Sequence, residues 1–220
     1  MYKNILSRIN QKDKCNVIVI DGVVGAGKTT LSNLLEERCG FKVYREPVVD
    51  NPILNKFYHN RERYSFPLQI FFLNKRFEHI KKAMENNDII ILDRSIYADI
   101  IFAKMLCDNN EMTKEEFDIY KELLCNMLEH IAKPKLMIYL DVTVDEAINR
   151  INKRGRDYEQ ITERAYWENL NKEYNEFFKA FETVNIAPVL KIDVTNKNYE
   201  NNECDKKSMI DTILSKLNEA

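Results

Sequence analysis

The sequence predicts a doubly wound α/β fold, in which helices flank a five-stranded parallel sheet. Short runs rich in Val, Ile and Leu recur along the 220-residue chain, and such runs are typical of strands buried on both faces. Longer helical patterns separate them, as crossover connections between parallel strands require. No internal repeat, low-complexity tract or Pro/Gly-rich linker interrupts the chain, so we expect residues 1–220 to form a single domain.

Each predicted element follows from its local pattern. Residues 61–83 and 113–131 have helical patterns, the first unusually aromatic. After Asn196 a polar loop precedes an amphipathic helix, and we predict no functional residue in either. The five predicted strands are NVIVID (16–21), FKVYRE (41–46), DIIILDRS (88–95), LMIYLDV (136–142) and VLKIDV (189–194).

Composition excludes several classes of function. The formal net charge is −2, which argues against a protein that binds a nucleic-acid polymer. The five cysteines are scattered and form no C-x-x-C pair, a pattern typical of reduced thiols in the cytoplasm. The N-terminus lacks the apolar core of a signal peptide, and no apolar run approaches the ~20 residues of a membrane span. We therefore expect a cytoplasmic protein without a membrane segment.

A glycine-rich loop follows the first predicted strand. IDGVVGAGKTTL (20–31) contains the P-loop pattern G-x-x-x-x-G-K-T between a strand pattern and a helix pattern. Its backbone N–H groups and the helix N-terminus can bind phosphate oxygens. We expect Lys28 to reach the β- and γ-phosphates of ATP or GTP, and the Thr29 hydroxyl to ligate Mg²⁺. The predicted ATP-binding residues of this loop are Gly22, Val23, Val24, Gly25, Ala26, Gly27, Lys28, Thr29 and Thr30.

A P-loop alone does not identify a reaction. The segment TNKNYE (195–200) resembles the Asn-Lys-x-Asp guanine-binding motif of GTPases, but its fourth position is Tyr199 and not aspartate. A kinase for a small acceptor needs a base, cations around the transferred phosphoryl group, and an acceptor pocket. A non-catalytic nucleotide-binding switch is the alternative from another class, and it would leave the charged residues described next without a role.

Charged residues follow the second and third predicted strands, at the sheet edge where parallel sheets bind ligands. Glu46 can accept the proton of an attacking hydroxyl, and Asp93 follows four apolar residues, as a Mg²⁺-binding carboxylate often does. Arg94 emerges from the same strand end. Asp141 also ends an apolar run and competes for the magnesium role, but it ranks lower because no arginine accompanies it.

These motifs, in this order, resemble those of the deoxynucleoside kinase family, which includes deoxycytidine, deoxyadenosine and deoxyguanosine kinases. The resemblance runs from the P-loop to about Trp167, and the fourth and fifth strands fit the family fold. It implies a P-loop kinase with an arginine-rich lid that phosphorylates the 5′-hydroxyl of a deoxynucleoside for nucleotide salvage. It also implies ATP as donor, Mg²⁺ as cofactor, and a homodimer formed through the helices around 61–83 and 113–131.

The resemblance assigns roles to individual residues. It implies that Glu46, Arg94 and Lys28 are catalytic, and that Thr29 and Asp93 bind the metal. The matched stretches are Glu46-Pro47-Val48, NKFYHN, FPLQIFFLNKRF, Asp93-Arg94-Ser95 and SIYAD. The implied substrate-binding residues are Glu46, Tyr58, Gln69, Arg76, Arg94, Asp99 and Glu159.

Base recognition is expected from three of these side chains. Gln69 offers an acceptor and two donors, which suit the edge of adenine or cytosine. Arg76 lies seven residues on, about two turns along the same helix face. In the resembled family an Arg/Asp pair such as Arg76 and Asp99 accompanies purine and deoxycytidine kinases, so thymidine should be disfavoured. The choice among adenine, guanine and cytosine, and the choice of donor nucleotide, stay open.

The stretch RINKRGRDYEQ (150–160) matches the lid of that family, which we place at about 150–162. Arg150 and Arg154 are four apart and share one helix face, and Gly155 should end the helix so that Arg156 can move with a loop. All three arginines are expected to bind ATP, with Arg150 the one most suited to a structural role. Glu159 and Tyr58 are expected to contact the sugar 3′-hydroxyl.

The strongest rival interpretation is a nucleoside-monophosphate kinase, especially thymidylate kinase. Such enzymes share the fold, the P-loop, a Glu-Pro and an Asp-Arg, but their phosphorylated acceptor needs an additional cation. Their Glu-Pro usually continues into glycines. Here Val48-Val49-Asp50-Asn51 follows instead, and the acidic Asp50 suits an uncharged acceptor better.

Overall fold

A computed structural model describes residues 1–46, 48, 51–160 and 162–219. Pro47, Val49 and Asp50, which the sequence analysis used, lie outside the described residues, as do the side chains of Tyr158 and Gln160.

The central element is a parallel sheet of five strands. The strands of the described part are β1 (Asn10–Lys14), β2 (Val17–Asp21), β3 (Lys42–Tyr44), β4 (Ile90–Asp93), β5 (Ala132–Lys133), β6 (Leu136–Asp141) and β7 (Val189–Asp193). The sheet order is β3–β4–β2–β6–β7, and every neighbouring pair is parallel. The predicted fold class and its five strands are therefore confirmed. A second, two-stranded sheet joins β1 to β5 and was not predicted.

Helices connect and flank these strands. The predicted helices at 61–83 and 113–131 appear as α4 and α6 in the following list. The helices of the described part are α1 (Tyr2–Leu6), α2 (Lys28–Cys39), α3 (Leu54–His59), α4 (Arg61–Met84), α5 (Ile100–Asp108), α6 (Lys114–Leu128), α7 (Val144–Arg154), α8 (Asp157–Gln160), α9 (Arg164–Val184) and α10 (Glu203–Glu219). Among them no helix is long and apolar enough to cross a membrane.

The core explains why the strand runs are continuously apolar. Residues 17–20, 90–92 and 136–140 are all at most 1% exposed, because helices cover the central strands. Burying each such aliphatic side chain contributes about 1.5–3 kcal/mol. Alternation of apolar and polar residues would place polar groups in this core, so these strands do not alternate.

The carboxyl ends of the strands bring the charged residues together. β2 pairs with β4 so that Ile20 lies opposite Asp93, and β3 pairs with β4 so that Tyr44 lies opposite Leu92. The segments after β2, β3 and β4 therefore begin at one edge of the sheet. These segments are the P-loop, the turn containing Glu46, and the Arg94 segment.

Candidate active site

The P-loop has the backbone conformation that its glycines permit. Gly25 and Gly27 have φ angles of 84° and 91°, in the left-handed region that side chains disfavour. A Cβ on Gly25 would lie 2.5 Å from the Ala147 carbonyl oxygen of α7. Glycine is thus required both for the turn and for the close approach of the lid helix.

Lys28 lies folded into the P-loop. Its Nζ donates hydrogen bonds to the carbonyl oxygens of Gly22 (3.0 Å) and Val23 (2.9 Å), and the residue is 7% exposed. Burial and then the positive charge of Arg94 lower the pKa of Lys28 to about 7, although nearby carboxylates oppose this shift. Among the described residues Lys28 forms no direct ion pair with these carboxylates and donates to carbonyl oxygens instead, so its ammonium is suited to receive phosphate oxygens.

Thr29 and Asp93 form an oxygen-rich pair beside Lys28. The Thr29 hydroxyl donates to Asp93 Oδ2 at 2.6 Å. Asp93 Oδ1 is buried and has no hydrogen-bond partner among the described residues, and burial raises the pKa of this carboxyl. A hard cation such as Mg²⁺, which binds through one or two protein oxygens plus phosphates, fits these donors. The competing Asp141 instead forms an ion pair with Lys191 at 2.8 Å.

Glu46 lies between two guanidinium groups. Its carboxylate forms an ion pair with Arg76, and its Oε1 lies 3.1 Å from Nε of Arg94. Burial alone would favour the neutral acid, but Arg94 and Arg76 outweigh it and lower the pKa of Glu46 to about 2. The side chain is consequently a permanent anion and a strong hydrogen-bond acceptor at neutral pH.

Arg94 is oriented by partners that the sequence analysis did not identify. Its φ of 68° is unusual for a non-glycine residue. The guanidinium donates to the Tyr174 hydroxyl and, at 3.3 Å, to the Gly22 carbonyl oxygen, while the Tyr174 hydroxyl donates to Asp21 Oδ1 at 3.0 Å. Asp21 was identifiable as a carboxylate ending a buried strand before the P-loop. Tyr174 lies in α9 without any local motif.

A cavity of about 480 Å³, here called the inner cavity, opens between the P-loop, α3 and α4. Gln69 and Arg76 line it and are 3% and 4% exposed, and Tyr58 and Glu46 also contribute. Asp99 does not line it in the described part; it pairs with Arg76 from behind. The apolar walls come from Leu54, Phe57, Leu68, Phe72, Phe102 and Tyr166.

Two arginines of the predicted lid lie beside this cavity. Gly155, with φ of 72°, ends α7 as predicted, and the residues after it form the short helix α8. Arg154 and Arg156 both line the inner cavity and pair with Glu159, at 2.5 Å and 3.4 Å. Glu159 is only 4% exposed. The Glu159 carboxylate thus pairs with both guanidinium groups.

Arg150 has a different environment. Its guanidinium donates to the carbonyl oxygens of Val194 (2.6 Å), Lys197 (3.2 Å) and Ala26 (3.4 Å). A further hydrogen bond of 2.8 Å goes to Glu146. The side chain therefore joins the lid helix to the P-loop and to the segment after β7.

A second cavity of about 570 Å³, here called the outer cavity, lies on the other side of the P-loop. Residues 195–200 form one wall, although no functional residue was predicted in the segment after Asn196. Gly25, Gly27, Thr30 and Arg154 line both cavities, so the two meet at the P-loop. Of the predicted loop residues, Gly22, Val23 and Ala26 line neither cavity in the described part. Their carbonyl oxygens accept hydrogen bonds from Lys28 or Tyr199.

Comparisons with known proteins identify similar sequences and structures. The family model for deoxynucleoside kinase matches residues 18–218, well beyond Trp167, where the motif resemblance ended. The chain is 39% identical over 209 residues to a deoxyguanosine kinase of Lactobacillus acidophilus, covering 92% of this chain and 91% of that protein. It is also 39% identical over 209 residues to a deoxyadenosine/deoxycytidine kinase of Bacillus subtilis, covering 94% and 95%.

A solved structure of similar shape is that of deoxyadenosine kinase from M. mycoides with the products dCMP and a flexible dCDP bound. The TM-score is 0.80 at 34% identity, over 93% of this chain and 100% of that one. A second structure of the same enzyme, with dATP bound, has a TM-score of 0.78 at 33% identity, over 90% and 99%.

Proposed function

The chain belongs to the deoxynucleoside kinase family, and we propose that it transfers the γ-phosphoryl group of ATP to the 5′-hydroxyl of a purine deoxynucleoside or deoxycytidine. The product is the 5′-monophosphate, and the role is nucleotide salvage. One observation carries the proposal: the inner and outer cavities meet at the P-loop. A donor base in the outer cavity and an acceptor in the inner cavity would place the reacting groups beside Lys28 and Glu46.

Electrostatic stabilisation of the phosphoryl group is the main catalytic contribution that the site offers. Lys28 and the N-terminus of α2 bind phosphate oxygens, and Arg94 supplies a second cation at the acceptor side. Thr29 and Asp93 would hold Mg²⁺, which neutralises phosphate charge when bound. Arg154 and Arg156 exchange Glu159 for phosphate oxygens when ATP is present.

Glu46 orients the acceptor hydroxyl. A carboxyl group with a pKa of about 2 does not remove a proton from a free hydroxyl, whose acidity is far lower. In a loose transition state the hydroxyl becomes acidic only as its bond to phosphorus forms. Glu46 therefore accepts a hydrogen bond throughout and receives the proton late.

Base selection is assigned to Gln69 and to the Arg76–Asp99 pair. Both Gln69 and Arg76 are buried against apolar walls, so an unmatched base edge would leave buried polar atoms unpaired. Tyr58 and Glu159, which line the same cavity, are assigned to the 3′-hydroxyl. The relatives that act on deoxyguanosine and on deoxyadenosine and deoxycytidine support the same acceptor classes.

Three further proposals concern the whole protein. The chain forms one domain with a lid at about 150–162, and it assembles as a homodimer through α4 and α6. The cytoplasm is the proposed compartment because all five cysteines are free in the described part.

The function is tested by ADP release from ATP and Mg²⁺ with each deoxynucleoside and with thymidylate. Deoxyadenosine, deoxyguanosine or deoxycytidine should give a higher kcat/KM than thymidine. Glu46→Gln should lower kcat by roughly 10²–10⁴, whereas Glu78→Gln, on the exposed face of α4, should leave it unchanged. Turnover with thymidylate alone would indicate a nucleoside-monophosphate kinase. If none of these acceptors supports turnover, the result would indicate a non-catalytic nucleotide-binding switch.

A further inference from the structure

The Tyr199 side chain contacts the P-loop from the segment that follows β7. It is 3% exposed. Its hydroxyl donates to the Ala26 carbonyl oxygen at 3.0 Å and lies 3.3 Å from that of Gly27. Burial raises the pKa of Tyr199 to about 12, so the phenol stays a neutral donor. A Cβ on Gly27 would collide with this hydroxyl, so the glycine and the tyrosine fit one another.

Two donors converge on the same carbonyl group. Arg150 donates to the Ala26 oxygen at 3.4 Å and also to the carbonyl oxygens of Val194 and Lys197. Both the tyrosine and the arginine thus connect this one peptide group to residues 194–199. That segment also forms a wall of the outer cavity.

Fixing this carbonyl fixes an N–H group as well. In a trans peptide the carbonyl and the N–H of the same unit point in opposite directions. Because the Ala26 oxygen points to Tyr199, the N–H of Gly27 points the other way. Backbone N–H groups of the P-loop bind phosphate oxygens, and an N–H that is already oriented loses less entropy on binding.

We propose that Tyr199 is a positioning residue whose hydroxyl holds the Ala26–Gly27 peptide in its phosphate-binding orientation and links it to the wall of the outer cavity. The tyrosine acts through the loop and needs no contact with the phosphates. The identity of the natural ligand rests on the proposed function, but the effect on polyphosphate binding does not. If Tyr199 only formed part of the wall of the outer cavity, its replacement would change the affinity for a ligand that contains a base. It would not change the affinity for a polyphosphate that has no base.

Binding of tripolyphosphate, ATP and adenosine by isothermal titration calorimetry with Mg²⁺ separates these roles. Tyr199→Phe removes only the hydroxyl. Its dissociation constants for tripolyphosphate and ATP should both rise about 3- to 10-fold, the effect of one hydrogen bond, while that for adenosine changes less than about twofold. Replacing Tyr199 by 4-aminophenylalanine, which keeps a donor at this place, should restore most of the affinity.

Tyr97→Phe is the matched control. Tyr97 is also fully buried, and its hydroxyl donates to the Ala132 carbonyl oxygen at 2.5 Å, at the edge of β5 and not at the P-loop. This variant should bind all three ligands like the wild type. If Tyr199→Phe does not fold, 4-fluoro- and 4-aminophenylalanine at position 199 provide the same comparison.

An unchanged dissociation constant for tripolyphosphate in folded Tyr199→Phe would overturn the inference and leave the proposed function intact. Equal losses in Tyr199→Phe and Tyr97→Phe would overturn it too, because they would reflect general destabilisation. Wild-type protein that binds neither tripolyphosphate nor ATP would contradict the proposed function itself, and the inference with it.

Discussion

Among single residues, Lys28 has an environment that suits phosphate binding. Its ammonium donates to two carbonyl oxygens and lies near Arg94. Carbonyl dipoles compensate a buried charge less well than an anion does. Burial and then the charge of Arg94 lower the pKa of Lys28 to about 7, and bound phosphates would raise it again. Phosphate binding and protonation of Lys28 are therefore linked.

Proton uptake on ATP binding follows from this linkage. At pH 8 a group with a pKa of about 7 is roughly nine-tenths neutral, whereas beside phosphates it is protonated, so binding should take up about one proton. At pH 6 the uptake should nearly vanish. Since the complex binds more protons than the free protein above pH 7, this contribution to affinity falls as the pH rises.

Calorimetry in buffers with different ionisation enthalpies measures the uptake. Lys81→Met on α4 should keep the uptake of the wild type, while any binding that survives in Lys28→Met should proceed without it. Equal proton exchange at pH 6 and pH 8 in the wild-type protein would contradict the assigned linkage.

At the scale of elements, Arg61 joins several segments around the inner cavity. It begins α4 and forms an ion pair of 3.0 Å with Glu111 after α5, and it donates to Thr162 at 3.3 Å after α8. Its guanidinium also lies 4.5 Å from the Tyr166 ring and 5.9 Å from the Phe57 ring. The side chain thus connects the end of the lid with two walls of the cavity.

Arg61→Ala should therefore cost more stability than loss of a surface ion pair. We expect a loss of about 1–2 kcal/mol in the free energy of unfolding, from the partly buried ion pair and the cation–π contact. Arg8→Ala, which removes a 3.0 Å ion pair between side chains that are 60% and 47% exposed, should cost less than about 0.5 kcal/mol. Urea unfolding measures the loss of stability in both variants. Equal losses would contradict the conclusion that Arg61 joins these segments.

The elements also show what a sequence can predict. The five strands of the main sheet were predictable because continuous apolar runs reflect burial on both faces. β1 and β5 were not, since Asn10–Lys14 is polar and Ala132–Lys133 has only two residues. Backbone pairing, which has no side-chain pattern, forms that second sheet.

The residues of the candidate site also differ in how well the sequence predicts their positions. Gly22, Glu46 and Asp93 belong to local motifs or strand ends, so their sequence positions indicate where they lie. Tyr174 and Tyr199 reach the site only through the packing of α9 and of the segment after β7. Such long-range contacts carry no local signal in a single sequence.

At the scale of the whole molecule, the inner and outer cavities lie at one edge of the sheet and meet at the P-loop. The two cavities share Gly25, Gly27, Thr30 and Arg154, while the rest of their walls come from different helices. A ligand that spans the P-loop can therefore place its phosphates at the entrance to the inner cavity. This arrangement favours direct transfer between two bound substrates over hydrolysis, because the acceptor can exclude water from Glu46.

The most direct test of direct transfer is the identity of the phosphorylated product. ATP, Mg²⁺ and deoxyadenosine, or the deoxynucleoside with the highest turnover, are incubated with the protein and examined by proton-coupled ³¹P NMR. Direct transfer to the 5′-hydroxyl should give one monophosphate whose signal is a triplet from the two C5′ protons, formed in equal amount to ADP. A doublet from a 3′-phosphate, or inorganic phosphate as the main product, would contradict it.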